Sequence, residues 1–327
     1  MRFVYLDYNA GAPPRPQALH AAHAAMDGAG NPSSPHAAGR AARRVIETAR
    51  EAVAALAGAT PEAIIFTSGG TEANAQALRG TGRPRVLVSA VEHASVAQAF
   101  DGAEIIPVDE DGIVDLDALD RLLASDSRPA LVSVMAANNE TGILQPVSDV
   151  AHIAHRHGAL LHCDAAQAAG RIPLSIGALG ADILSLSAHK LGGIAGSGAL
   201  VLADPDLPLA PFLLGGGQER RRRAGTENVA GIAAFGAAAQ SALDDLEGNA
   251  ILGLCDIRDR IEAAIGERIA GAVVIGARAP RLANTSCLAL PGLAGHIQVM
   301  ALDLAGVMVG AGAACSSGAV APSRVLK

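Results

Sequence analysis

The sequence has 327 residues, of which 50% are hydrophobic, 17% are charged and 2% are aromatic, and its formal net charge is −7. Such a chain is long enough for one large domain and a smaller one. The negative charge and the few aromatic side chains argue against a nucleic-acid-binding surface. The sequence contains no apolar stretch of about 18 residues, so no membrane span is predicted. No secretory signal opens the sequence, so we predict a cytoplasmic protein.

Short apolar runs alternate with longer alanine-rich segments that have helical periodicity. This alternation predicts an α/β domain with a mainly parallel central sheet, and the continuously apolar runs predict helices on both faces of it. The predicted strands are 63–67, 85–89, 103–107, 130–136, 159–163, 183–187 and 199–202, and a helix is predicted over 147–157. An acidic segment near 244–247 precedes a new helical stretch. We therefore predict a large domain at 12–246 and a smaller α+β domain formed by 1–11 and 247–327.

Polar residues follow five of the predicted strands. Because ligands bind beyond the carboxyl ends of parallel strands, this pattern predicts a ligand site at that edge of the sheet. Gly69, Gly70 and Thr71 open a helix, where glycines let backbone N–H groups approach a phosphate, although a plain tight turn uses the same residues. The polar residues at the five strand ends are Ser68–Thr71, Glu92 and His93, Asn138–Glu140, Asp164 and Gln167, and Ser187, His189 and Lys190.

Asp164 ends an apolar strand and precedes Lys190 by 26 residues. A buried carboxylate needs a partner, and a protonated pyridine nitrogen would serve, since that contact keeps the ring an electron sink. Lys190 would then bind pyridoxal phosphate as a Schiff base and act as a general base; alone, it would be read as a surface lysine. Gln167 could bond the ring oxygen. His93 is either a buried core histidine or a residue that stacks on the ring and relays protons.

The four cysteines, Cys163, Cys255, Cys287 and Cys315, are widely spaced and form no CxxC pair. Neither a disulfide framework nor a zinc site is therefore predicted. Cys315 lies among the small residues of 310–318, which suit a nucleophile that reaches into a pocket and then swings out. Burial as a small apolar side chain is the alternative, and it fits Cys163 better. We predict no resident metal; transient ligation of an iron–sulfur cluster is the one metal role open to Cys315.

A basic run, Arg220 to Arg223, is flanked by glycines and by Glu219 and Glu227. Charge runs usually form a solvated face, and no second basic stripe accompanies this one. The run therefore favours a loop that helps to neutralise a phosphate over a nucleic-acid site.

Together, these motifs resemble the cysteine desulfurases, which are class V aminotransferases of the fold-type I pyridoxal-phosphate group. The matching segments are 5–10, 30–34, 66–74, 138–142, 162–167, 187–190, 215–219 and 223–228. The resemblance implies that Lys190 carries the cofactor, that Asp164 faces the pyridine nitrogen and that His93 stacks on the ring. It also implies that Thr226 reaches the phosphate of the neighbouring subunit in a homodimer. Further cofactor or substrate contacts are implied for Gly70, Thr71, Asn139, Gln167, Ser187 and His189.

The resemblance also implies a reaction and its partners. The segment around Cys315 is similar to the subgroup with a long mobile cysteine loop, which serves iron–sulfur assembly and nitrogen fixation. The implied reaction converts L-cysteine to L-alanine and leaves a persulfide on Cys315 for an iron–sulfur scaffold or another sulfur acceptor.

Two departures from the family pattern keep alternatives open. The stretch 192–198 lacks the usual proline, and no residue matches the arginine that binds the substrate carboxylate beyond the cysteine loop of relatives. We therefore expect the small domain to be shortened at its C-terminal end. The alternatives are another class V enzyme, such as a selenocysteine lyase or an aminotransferase, and a cofactor-binding protein with weak catalysis.

Overall fold

The computed structural model describes residues 3–28, 30–248, 250–312, 323, 325 and 326. The strands in this part of the chain are β1 (Val4–Tyr5), β2 (Ile64–Thr67), β3 (Arg85–Ser89), β4 (Glu104–Ile106), β5 (Ala130–Ser133), β6 (Leu160–Asp164), β7 (Ile183–Ser187), β8 (Gly198–Leu202), β9 (Val273–Val274), β10 (Leu288–Ala289) and β11 (Val307–Met308). The α-helices are α1 (Pro16–Met26), α2 (Ala37–Ala57), α3 (Gly70–Gly80), α4 (Ala94–Ala97), α5 (Leu116–Ala124), α6 (Val147–Arg156), α7 (Ile176–Leu179), α8 (Val229–Glu247), α9 (Leu252–Arg268) and α10 (Gly295–Leu304).

Seven strands form the central sheet in the order β2-β8-β7-β6-β5-β3-β4. The strands from β7 to β4 run parallel to one another, and β8 runs antiparallel to both of its neighbours. The prediction of an α/β fold with a mainly parallel sheet is thus confirmed. The predicted strand 130–136 is three residues too long, although Val134 and Ala136 still donate to the carbonyls of His162 and Asp164 at 3.1 and 2.9 Å.

Alternate side chains of the same strand pack into two separate apolar clusters, because successive residues of a strand point to opposite faces of the sheet. Ile183 of β7 lies in one cluster with Leu78 of α3. Its neighbour Leu184 lies in the other cluster with Phe235 of α8. Both faces of the sheet are therefore buried by helices, as the continuously apolar runs predicted.

Short strands join the beginning of the chain to its later part. β1 pairs in parallel with β11, and β9 pairs antiparallel with β10. The division into domains at 12–246 and at 1–11 with 247–327 stays a prediction. No helix in the described ranges is both long enough and apolar enough to cross a bilayer.

Candidate active site

The predicted site residues meet at the carboxyl edge of the sheet. Asp164 is the last residue of β6, and Ser187 is the last residue of the neighbouring β7. Lys190 lies in a short 3-10 turn, Ala188–Lys190, directly after β7. Gly70 begins α3 after Ser68 and Gly69, which follow β2, and a Cβ atom built on it would lie 3.4 Å from Cβ of Ser187. Parallel strands with adjacent ends thus place residues from distant parts of the sequence side by side.

Asp164 is a buried hydrogen-bond acceptor. Its Oδ2 accepts a hydrogen bond from Nδ2 of Asn74 at 2.7 Å, and its Oδ1 accepts one from the backbone N–H of Ala166 at 2.9 Å. Asp164 is only 6% exposed. A carboxylate can accept about four hydrogen bonds, so Asp164 retains the capacity to accept one from a ligand.

Burial favours the neutral form of two neighbouring titratable groups. Burial, reinforced by the charge of Asp164, raises the pKa of Glu92 well above its ordinary value. Glu92 Oε1 accepts from the N–H of Met135 at 2.6 Å, whereas Oε2 has no hydrogen-bond partner among the described residues. Burial lowers the pKa of His162, which lies between two serine hydroxyls, to about 4. Burial therefore favours the protonated form of Glu92 and leaves His162 unprotonated at neutral pH.

Lys190 is buried, with 8% of its surface exposed, which excludes the alternative of a surface lysine. Its Nζ donates to the carbonyl oxygen of Ala10 at 3.1 Å and to that of Asn9. Its charge also acts on Asp7, whose pKa burial raises and Lys190 lowers. The N-terminal segment therefore forms one wall around the amine, a contact that the sequence motifs did not predict.

Arg171 is a second residue that the sequence analysis missed. It donates to Oε1 of Gln167, to Oδ1 of Asn9 at 2.7 Å and to the carbonyl of Tyr8 at 3.1 Å. Burial lowers the pKa of Arg171 to about 10. Gln167 Nε2 in turn donates to the carbonyl of Asn9 at 2.9 Å. The ring contact expected of Gln167 stays a prediction. Gln167 and Arg171 lie in turns and not in a helix, so their spacing gave no local signal of this contact.

The two predicted histidines both bond nearby serines. His93 precedes α4, and its Nδ1 accepts from the backbone N–H of Ser95 at 3.1 Å. Nδ1 of His189 lies 3.0 Å from Oγ of Ser187. Burial, followed by the charge of Lys190, lowers the pKa of His189 and so favours its neutral form.

The end of β2 and the following Ser68 border a cavity of about 120 Å³. Exposed Thr226 lies in its wall. Arg223 pairs with Glu72 of α3 at 2.9 Å, while Arg220 and Arg222 donate to backbone carbonyls. Asn139 lies outside this cavity lining, and its backbone carbonyl oxygen accepts a hydrogen bond from Nδ2 of Asn9 at 3.1 Å. Among the residues lining the cavity are Thr67, Ser68, Arg223, Thr226 and Asn228.

The prediction that Cys315 is the nucleophile lies outside the described residues. Of the other three cysteines, Cys163 is fully buried inside β6, as its alternative predicted.

Comparisons with known proteins match this architecture over almost the whole chain. The chain belongs to the Aminotransferase class-V family, whose model matches residues 4–325. Within that family it is a member of the cysteine desulfurases. A cysteine desulfurase of Cereibacter sphaeroides is 45% identical over 342 residues, covering 100% of this chain and 87% of that protein. The cysteine desulfurase IscS of Dictyoglomus turgidum (strain DSM 6724 / Z-1310) is 40% identical, covering 99% and 85%.

A solved structure agrees with these sequence matches. The NifS-like protein from Rickettsia africae ESF-5 superposes with a TM-score of 0.92 at 33% identity, covering 99% of this chain and 89% of that one. The resemblance inferred from the sequence motifs, the fold and the enzyme class are therefore confirmed.

Proposed function

We propose that this cysteine desulfurase holds pyridoxal phosphate on Lys190 and uses it to pass the sulfur of L-cysteine to Cys315. The observation that carries the proposal is the placement of a buried amine, Lys190, and a buried acid, Asp164, at one edge of the sheet. Enzymes of the class V family depend on pyridoxal phosphate in general, which supports the choice of cofactor.

The residues present fit this cofactor. Asp164 retains acceptor capacity for a protonated ring nitrogen, and burial disfavours a competing charge on Glu92 and on His162 beside it. The backbone of Gly70 and Thr71 opens α3, an 11-residue helix whose N-terminus favours a phosphate. When bound, the cofactor supplies an electron sink for bond cleavage in the substrate.

Each residue of the site then has a defined task. Lys190 would hold the cofactor covalently and afterwards take the α-proton of the substrate through its amine. Asp164 would orient the ring through its nitrogen, and His93 would cover one face of it. Further positioning would come from Gln167 at the ring hydroxyl, from Asn139 near the substrate, and from Ser187, His189 and the partner subunit's Thr226 at the phosphate.

Sulfur transfer requires no additional oxidant. The Cys315 thiolate would attack the substrate sulfur, the bond between that sulfur and carbon would break, and a proton would complete L-alanine. The products balance the reactants, because cysteine and the Cys315 thiol become alanine and a persulfide. Homodimer formation, a cytoplasmic location, and delivery to an iron–sulfur scaffold or other acceptor are parts of the proposal that rest on the sequence.

Two experiments test the proposal. Borohydride treatment of the cofactor-loaded protein followed by peptide mapping should place the label on Lys190, and Lys190→Ala should remain unlabelled. Incubation with L-cysteine should release alanine; Cys315→Ala should keep the cofactor absorbance but lose persulfide formation. Label on a different residue would contradict the cofactor assignment. Undiminished sulfur transfer by Cys315→Ala would remove Cys315 from its role and favour a lyase that needs only Lys190.

A further inference from the structure

We propose that Ser95 and Asn74 are positioning residues that hold His93 with its ring proton on Nε2 and connect that ring to Asp164. The inference deepens the proposed function and rests on it for the ligand that His93 and Asp164 would share. The sequence analysis assigned neither residue a role, although Asn74 lies within the matching segment 66–74.

The tautomer of His93 follows from a backbone hydrogen bond. The N–H of Ser95 donates to Nδ1 of His93 at 3.1 Å. A backbone N–H can only donate, so Nδ1 must present its lone pair, and the proton of the neutral ring is carried by Nε2. The short helix α4 fixes this geometry, because His93 is the residue immediately before its first turn.

The hydroxyl of Ser95 extends the contact to α3. Ser95 Oγ lies 2.7 Å from Nδ1 of His93 and accepts a hydrogen bond from Nδ2 of Asn74 at 2.8 Å. Because Ser95 Oγ accepts from Asn74, its own hydrogen is available to point at the histidine nitrogen.

Asn74 completes a hydrogen-bonded relay, which runs from His93 through Ser95 and Asn74 to Asp164, with its second N–H bond. The same Nδ2 donates to Oδ2 of Asp164 at 2.7 Å. An amide nitrogen has two hydrogens, so both are committed, one to Ser95 and one to Asp164. The opposite orientation of the amide would place its oxygen against Asp164 Oδ2, and two acceptors would then face each other. Asn74 is 1% exposed, and its Oδ1 has no hydrogen-bond partner in the described ranges. The donor geometry alone therefore sets the orientation of this buried side chain.

Helix α3 joins this relay to the predicted phosphate cradle. Asn74 lies four residues after Gly70, so the two are neighbours on one face of the helix. A single rigid element thus fixes the phosphate-binding N–H groups, the orientation of Asp164 and, through Ser95, the ring of His93. A ligand that spans these three points would be oriented before any substrate arrives.

The experiment compares Ser95→Ala and Asn74→Ala with two controls in the full-length protein. Gln76→Ala removes another buried amide from α3, one that donates to the carbonyl of Arg222 at 2.7 Å and not to this relay. Ser95→Thr retains the hydroxyl. Histidine-selective ¹⁵N NMR, with and without cofactor, reads the protonation of both ring nitrogens of His93. The absorbance of the loaded protein and the separate values of kcat and KM for L-cysteine complete the set.

We expect the parent protein to show an unprotonated Nδ1 and a protonated Nε2. Ser95→Ala and Asn74→Ala should shift the His93 ring resonances and the cofactor absorbance, and should lower kcat roughly 2- to 10-fold with little change in KM, as for the loss of one hydrogen bond. Ser95→Thr should retain the parent's His93 ring resonances and cofactor absorbance, and Gln76→Ala should leave the ring resonances of His93 unchanged.

Two results would overturn the relay. One is a proton on Nδ1 in the parent protein; the other is a response of both variants no larger than that of Gln76→Ala. Failure of the proposed function looks different, because NMR of the cofactor-free protein reports the relay by itself. If the relay is intact but borohydride leaves no label on Lys190, this inference stands and the assignment of the cofactor to Lys190 is wrong.

Discussion

Replacing Glu219 by glutamine should destabilise the folded protein by an amount that its contacts allow us to work out. Glu219 and Arg50 form a buried ion pair, with side chains only 2% and 7% exposed. Arg50 donates to both carboxylate oxygens, at 2.8 and 2.9 Å, and the N–H of Phe66 donates to Oε2 at 2.8 Å. Glutamine preserves the shape but removes the buried countercharge, so among the described residues Arg50 retains only the carboxylate of the partly exposed Glu47, which lies 3.1 Å from its Nε. Loss of one partner of a buried ion pair costs about 3–5 kcal/mol.

Strain in the adjoining loop offsets part of this cost. Glu219, Arg220 and Arg221 all have positive φ, at 43°, 56° and 66°, and such residues each carry about 1–3 kcal/mol of strain. Loosening the ion pair lets this turn relax. If one residue relaxes, the offset is about 1 kcal/mol, so we expect a net loss of about 2–4 kcal/mol.

Urea unfolding of the cofactor-free protein measures this loss directly. Asp245→Asn is the matched control, because Asp245 pairs with Arg15 at 2.7 Å but is 41% exposed, and partly exposed pairs contribute at most about 1 kcal/mol. If Glu219→Gln unfolds at the same urea concentration as Asp245→Asn, the buried ion pair between Arg50 and Glu219 does not stabilise the loop and the reasoning is wrong.

Two further substitutions probe the site and its surroundings. As pH rises from about 5 to about 8, Glu92→Gln should become more stable relative to the parent. Burial raises the folded pKa of Glu92, so the parent protein loses stability as pH rises above the unfolded pKa of this carboxyl. Urea midpoints at the two pH values measure the difference, and a relative loss of stability by Glu92→Gln would contradict the prediction. Gly142→Ala should lose more than about 1 kcal/mol, since Gly142 has φ +75° and an added Cβ would lie 2.7 Å from Cβ of Thr285. Gly82→Ala, with φ +64° but no atom within 4 Å, separates backbone strain from this clash, and equal losses in the two variants would show that the clash is relieved.

The sheet could be predicted from the sequence because its signal is local. The strands Arg85–Ser89 and Ile183–Ser187 have the predicted bounds, since runs that are apolar on both faces end sharply at polar residues. The placement of Asp164 and Lys190 at one edge of the sheet also follows from a general rule, because adjacent parallel strands bring their carboxyl ends together.

Contacts between distant segments could not be predicted in the same way. The carbonyls of Asn9 and Ala10 approach Lys190 from about 180 positions earlier in the chain, and no local pattern encodes that approach. The left-handed turn at Glu219–Arg221 is a similar case. Nothing in a run of arginines favours positive φ, and the turn depends on a partner, Arg50, that lies 169 residues away.

The pairing of β1 with β11 has a consequence for biosynthesis. Val4 pairs with Val307, so β1 must wait for a partner that is translated about 300 residues later. The seven-stranded sheet can form meanwhile, because all its strands lie between residues 64 and 202. The pairing of β1 with β11 is thus a late, closing step that follows synthesis of every strand of the central sheet. An N-terminal fusion partner would stand at the point where this closing step takes place.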